Sequence, residues 1–75
     1  MKRRRDIKLL FGRHLRQLRV ARRMSQEQLA DQAGLDRSYV GSVERGERNI
    51  SLENICKLAA GLGDSPARLL DFFGR

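Results

Sequence analysis

Apolar residues recur along this chain at intervals of three and four, and small polar residues and glycines close each run. Ile7, Phe11, Leu15 and Leu18 form one stripe and predict a first helix over about Ile7–Arg22, with His14 flanking the stripe. Ser25 followed by Gln28 is a capping box, so a second helix starts there. Its inward positions are Leu29, Ala30 and Ala33, and Gly34 stops it because glycine tolerates the left-handed conformation. A third helix, capped by Asp36, runs from about Arg37 to Arg45 with Val40 and Val43 on its core side and Gly46 as its stop. The fourth follows the Ser51 cap, buries Leu52, Ile55, Ala59 and Leu62, and ends at Gly63. Cys56 is placed near the core of that helix as a buried, inert thiol. Ser65 as cap and Pro66 at the first helical position open a fifth helix carrying Leu69, Leu70, Phe72 and Phe73. No stretch alternates as a strand does. The pattern predicts an all-α, compact five-helix domain over residues 7–75, preceded by a flexible arm over 1–6, with no linker or repeat.

Size and charge narrow the function. Seventy-five residues suffice for one small domain, which buries roughly 60% of its unfolded surface. No apolar stretch nears the ~20 residues that cross a bilayer, and the basic start MKRRRD lacks the apolar region of a secretory signal. A cytoplasmic protein without membrane contact is expected. Caps and glycines also divide the chain too finely for a membrane-active cationic helix. Residues 1–23 hold ten Lys and Arg against one acid, and the remainder six against eight, within a net charge of +7. The polyanion-facing surface is therefore weighted towards the arm and first helix. A lone cysteine excludes an intramolecular disulfide and a multi-cysteine zinc site. The single His and single Cys lie far apart and no carboxylate constellation is evident, so no catalytic residue, metal, cofactor or small-molecule ligand is expected.

The third helix carries the candidate chemistry. With Val40 and Val43 inward, Arg37, Ser38, Gly41, Ser42 and Arg45 share the outer face. Small residues flanked by arginines suit a helix entering the major groove of double-stranded DNA, where arginine bonds guanine through two donors. Gly41 in mid-helix costs about 0.5–1 kcal/mol relative to alanine. Close approach to base edges accounts for that cost, and tight packing on another helix is the competing account. Gln26 stands at the N-terminus of the second helix, where free N–H groups favour a phosphate. Arg48, Asn49 and Ser51 make a second phosphate clamp, with loop solvation the alternative for Arg48 and Asn49.

From about Phe11 to Leu70 the chain resembles the helix-turn-helix domain of Cro/C1-type, lambda-repressor-like regulators of bacteria and phages. The residues carrying the resemblance are Leu18-Arg19, Ser25-Gln26-Glu27-Gln28-Leu29-Ala30, Gly34, Arg37-Ser38-Tyr39-Val40, Glu44-Arg45-Gly46 and Ser51-Leu52. The stretch DRSYVGSVERGERNISLENI is similar, more narrowly, to the controller proteins of restriction–modification systems. The resemblance implies phosphate contacts from Gln26, Arg48 and Asn49 and base reading from Arg37, Ser38 and Ser42. It implies a salt bridge between Arg19 and Glu44 tying the first helix to the third, with Arg19 also among the phosphate-contacting residues. It places the Tyr39 ring at the domain edge with its hydroxyl near a phosphate. Two departures bear on this. Ile50 stands where many relatives have proline, leaving the loop either less rigid or anchored by that side chain. Gly41 and Ser42 are short readers, which shifts recognition towards DNA shape and water. The arm has three readings: phosphate contact, minor-groove entry or disorder.

One reader helix touches few base pairs, so a homodimer on a (pseudo)palindromic operator is expected, its half-sites about one helical turn apart. Surplus apolar surface on the fifth helix supplies the seam, through Leu69, Phe72 and Phe73 supported by Leu52 or Ile55. The competing account is that these residues close the monomer core. A transcriptional regulator is the leading reading. An antitoxin-type or other protein-interaction module that also binds DNA is the alternative, disfavoured by the absence of an extended tail after the fifth helix. Contact with RNA polymerase would fall to Glu27, Asp31 and Glu47.

Overall fold

The computed structural model describes residues 4–72, with side chains from Ile7 onward. Five helices follow one another: α1 (Arg4–Ala21), α2 (Gln26–Ala33), α3 (Arg37–Glu44), α4 (Leu52–Leu62) and α5 (Pro66–Leu69). No strand occurs among the described residues. The first helix starts three residues before the predicted Ile7, so Arg4, Arg5 and Asp6 belong to α1 rather than to a six-residue arm. Nothing in Arg4–Asp6 breaks a helix, and arginine is a good helix former. Residues 1–3 lie outside the described region, as does Phe73 of the expected dimer seam.

Capping chemistry sets the boundaries. Ser25 Oγ accepts from the Gln28 N–H at 3.0 Å, while Gln28 Oε1 accepts from the Ser25 N–H at 2.8 Å, completing the capping box. Ser51 Oγ accepts from the Asn54 N–H at 3.1 Å. Asp36 and Ser65 hold the extended cap conformation but make no side-chain cap bond, and Asp64 Oδ1 accepts the Ser65 N–H instead. Helices α1 to α4 all close with the paired 6→1 and 5→2 bonds of a Schellman motif. Gly34, Gly46 and Gly63 supply the left-handed residue for α2, α3 and α4. At the end of α1 that residue is Arg23, at φ +57°, so this helix stops without a glycine to announce it.

The core is built from Leu15, Leu29, Val40, Val43, Leu58 and Leu69, all almost completely buried. The inward face of α4 is Ile55, Leu58, Ala59 and Leu62. Leu52, expected in that stripe, is 74% exposed, and Cys56, expected to be buried, is exposed. At about 100° per residue, Cys56 lies too far round from the centre of the buried face, and Leu52 begins the helix beyond the elements that cover it. The fifth helix has only four residues. Its Leu69 is wholly core and so is not available to a second molecule as expected, whereas Ile55 is buried at the floor of a surface groove and Leu70 is 41% exposed. Phe72 is half-buried and meets Phe11 edge-on, with ring centroids 6.1 Å apart. His14 sits at the core edge, where Nε2 donates to the Arg68 carbonyl at 2.7 Å.

Two arginines of α1 lock the helices together. Arg22 donates from Nε to the Leu62 carbonyl at 2.9 Å and from Nη1 to the Leu18 carbonyl at 3.1 Å, and it pairs with Asp64. It thereby satisfies carbonyls at the ends of α1 and α4 that the helices leave unpaired. Arg19 pairs with Glu44 of α3. Every buried side-chain nitrogen or oxygen among the described residues has a partner.

Candidate nucleic-acid interface

The turn between α2 and α3 is three residues long, closed by Gly34 and opened again at Asp36, so the two short helices are fixed against each other. Arg37 and Ser38, in the first turn of α3, are exposed, and among the described residues no side chain pairs with the Arg37 guanidinium. Arg45, just past the end of the helix, is exposed as well. Ser42 is not on this face. It is 6% exposed, its hydroxyl donates to the Tyr39 carbonyl at 2.7 Å, and it accepts from Arg48 Nε at 3.1 Å. The loop after α3 folds back over that position and removes Ser42 from the expected reading set. Gly41 is also covered, because the Gln26 and Arg45 side chains lie across it. An added Cβ there would sit 3.2 Å from Arg45 Nη1 and 3.4 Å from Gln26 Oε1.

Behind the face, Arg19 grips Glu44 with both prongs, Nε to Oε2 at 2.6 Å and Nη2 to Oε1 at 2.9 Å. Its remaining nitrogen, Nη1, donates to the Met24 carbonyl at 2.8 Å. Arg19 is 9% exposed and each of its guanidinium nitrogens is engaged inside the domain, so burial rather than free donors argues against the expected phosphate contact. Hydrogen bonding to Glu44 holds the Arg19 guanidinium above its ordinary pKa. Glu44 Oε1 also accepts from Gln26 Nε2 at 3.0 Å. A carboxylate can only accept, so this contact fixes which way the Gln26 amide faces. Sequence reasoning missed this link, because Gln26 and Glu44 are eighteen positions apart with no local pattern joining them.

The loop forms a second cluster. The Arg48 guanidinium lies 5.4 Å from the centre of the Tyr39 ring, a cation–π contact, and only its Nε is used, on Ser42. The terminal nitrogens of Arg48 remain free to meet an anion. Tyr39 is half-buried at the domain edge, and its hydroxyl accepts from Asn54 Nδ2 at 3.0 Å while keeping its own proton to donate. Asn49 and Ser51 are exposed beside them, and Ser51 Oγ retains its donor. Ile50 packs against the core and anchors the loop. Among the described residues, no three His, Cys, Asp or Glu side chains could hold a metal ion. No described helix is long and apolar enough to cross a membrane.

Two short helices closed by a three-residue turn, with exposed Arg37, Ser38 and Arg45 along the second, have the form of a helix-turn-helix. The helix-turn-helix family model matches residues 15–70. The chain belongs to that family. Within it, the relatives include restriction–modification controllers. Control protein C.BamHI of Bacillus amyloliquefaciens is 50% identical over 68 residues, covering 89% of this chain and 84% of its own length. Control protein C.SmaI of Serratia marcescens is 46% identical over 65 residues, covering 87% and 77%. The crystal structure of the restriction–modification controller C.AhdI from Aeromonas hydrophila superposes with a TM-score of 0.81 at 58% identity, covering 83% of this chain and 94% of that one. The chain is thus a Cro/C1-type helix-turn-helix regulator of the controller-protein group, a DNA-binding class.

Proposed function

We propose that this protein controls a restriction–modification system as a homodimer bound to a (pseudo)palindromic operator. The observation that carries the reading is the α3 face. Arg37 and Ser38 are exposed in its first turn, Glu44 orients the Gln26 amide at the start of α2, and Arg48 lies over Tyr39 in the loop that follows, with Asn49 exposed beside it. Base reading falls to Arg37, Ser38 and Arg45, and register to Gln26, Tyr39, Arg48, Asn49 and Ser51. Selection of sites from random duplex DNA tests this. The expected result is a two-fold symmetric motif in which Arg37→Ala erases the preference at one position of each half-site. Uniform binding without a motif would sink the reading.

In this reading the second copy packs against α4 and the residues Leu70 and Phe72 after α5. A shallow groove runs between Ile7, Ile50, Ile55, Leu70 and Phe72, and Leu52 projects one turn before Ile55 on the same side of α4. Apolar groups left this exposed on a small domain mark an interaction surface. Leu52→Asp is expected to leave the helical spectrum intact, shift sedimentation to the monomer and weaken binding to a two-fold site far more than to a half-site. A variant that sediments as a dimer would remove this surface from the interface. For RNA polymerase, exposed Glu27 and Asp31 on α2 remain candidate contacts, whereas the Glu47 carboxylate is taken by Arg45.

A further inference from the structure

Glu47 is held where a DNA-binding surface would not ordinarily tolerate an acid. Gly46, at φ +79°, turns the chain past the end of α3, and the Glu47 N–H bonds the Ser42 carbonyl at 3.0 Å. That anchor brings the Glu47 side chain back alongside Arg45. Oε2 accepts from Arg45 Nε at 2.9 Å and Oε1 accepts from Nη2 at 3.2 Å. The carboxylate therefore occupies one edge of the guanidinium. Of its five N–H donors, Nη1 keeps both and Nη2 keeps one, and the terminal pair forms a second fork. Nη1 lies over the bare backbone of Gly41, a place that a β-carbon would crowd.

The geometry points to Glu47 as a positioning residue for base reading: it holds the Arg45 plane from one edge and leaves the other edge for the O6 and N7 acceptors of guanine. The inference rests on the proposed reading that Arg45 meets bases. A free arginine at a groove mouth takes whichever phosphate is nearest, because phosphate attraction is sequence-independent. Glu47 opposes that choice in two ways. It neutralises the pull of the backbone on Arg45, and it fixes the guanidinium orientation before DNA arrives. Both side chains stay more than half exposed, so the second fork is open to a ligand. Hydrogen bonding from Arg45 also holds the Glu47 carboxyl below its ordinary range. The pair is therefore intact at neutral pH and is lost only as pH falls through that depressed value.

The test uses the full chain, its selected duplex and duplexes changed at each half-site position, with Kd measured for the wild type, Arg45→Ala and Glu47→Gln. A two-pronged arginine–guanine contact discriminates by roughly 5- to 150-fold. Arg45→Ala should flatten one position per half-site. Glu47→Gln should cut discrimination at that same position by about fivefold or more, leave the Arg37 position unchanged and tighten binding to unrelated DNA. Thermal stability of Glu47→Gln should stay at the wild-type value, and the double variant should discriminate no worse than Arg45→Ala alone. If Glu47→Gln keeps full discrimination and merely binds all DNA more tightly, Glu47 does not position Arg45 and the proposal is overturned. If Arg45→Ala flattens no position, base reading by Arg45 has itself failed and the proposal falls with it.

Discussion

Arg19→Ala is expected to lower the free energy of unfolding by about 3–5 kcal/mol in urea denaturation. A domain of this length has roughly 4–11 kcal/mol in total, so the variant approaches its folding threshold. The size of the effect follows from what is left behind. The Glu44 side chain is 4% exposed, and without Arg19 its charge keeps only the Gln26 amide as a partner. The melting temperature should fall by at least about 12 °C, taking about 4 °C per kcal/mol as a lower bound. A loss below about 1 kcal/mol, the worth of an exposed pair, would show that Glu44 finds water after all. Replacing both partners, with Arg19→Met and Glu44→Met, should recover most of the stability, since an apolar pair of similar volume suffers no desolvation of charge. DNA affinity should not recover with it. The Gln26 amide loses the acceptor that orients it, so the double variant separates the brace's structural role from its role at the interface.

How much of this was written plainly in the chain depends on the kind of signal. The capping box at Ser25, the Ser51 cap and the left-handed glycines are local chemistry, so the α2, α3 and α4 boundaries can be read within a residue. Where the same motif is made by Arg23, nothing local marks it, and the pattern puts the end of α1 one residue late. The periodicity identified most core positions but missed Leu58 and misplaced Leu52, because a stripe in a short helix can be drawn at more than one phase. Ser42 falls on the expected reading face for a related reason. A helical wheel knows nothing of a loop that returns over one side, and the Arg48 contact that buries Ser42 is tertiary. Contacts of long sequence separation divide in the same way. Arg19 with Glu44 was legible through the family resemblance, whereas Arg22 with Asp64 and Gln26 with Glu44 carry no pattern of their own.

Gly12→Ala is expected to destabilise the fold by about 2–3 kcal/mol, against the direction that helix propensity alone would give. Alanine in mid-helix gains about 0.5–1 kcal/mol over glycine. At this position, however, α1 passes directly over the end of α3. An added Cβ would stand 2.5 Å from both the Val43 and the Glu44 carbonyl oxygens, and 2.9 Å from the Glu44 carbonyl carbon. These are backbone atoms and cannot swing aside, so the two helices must separate. Overpacking of this kind costs about 1–3 kcal/mol and occasionally more, and the steric cost therefore exceeds the propensity gain. Gly41→Ala is the matched control, because its nearest neighbours are the ends of two flexible side chains, Arg45 Nη1 and Gln26 Oε1. Chemical denaturation of the two variants should move in opposite directions, and a Gly12→Ala protein as stable as Gly41→Ala would refute the close crossing. The same displacement reaches the interface. Glu44 lies at the contact and holds both Arg19 and Gln26, so pushing α3 away from α1 also loosens the fixed angle on which groove reading depends. Gly12→Ala should therefore lose operator affinity at temperatures where it is still fully folded.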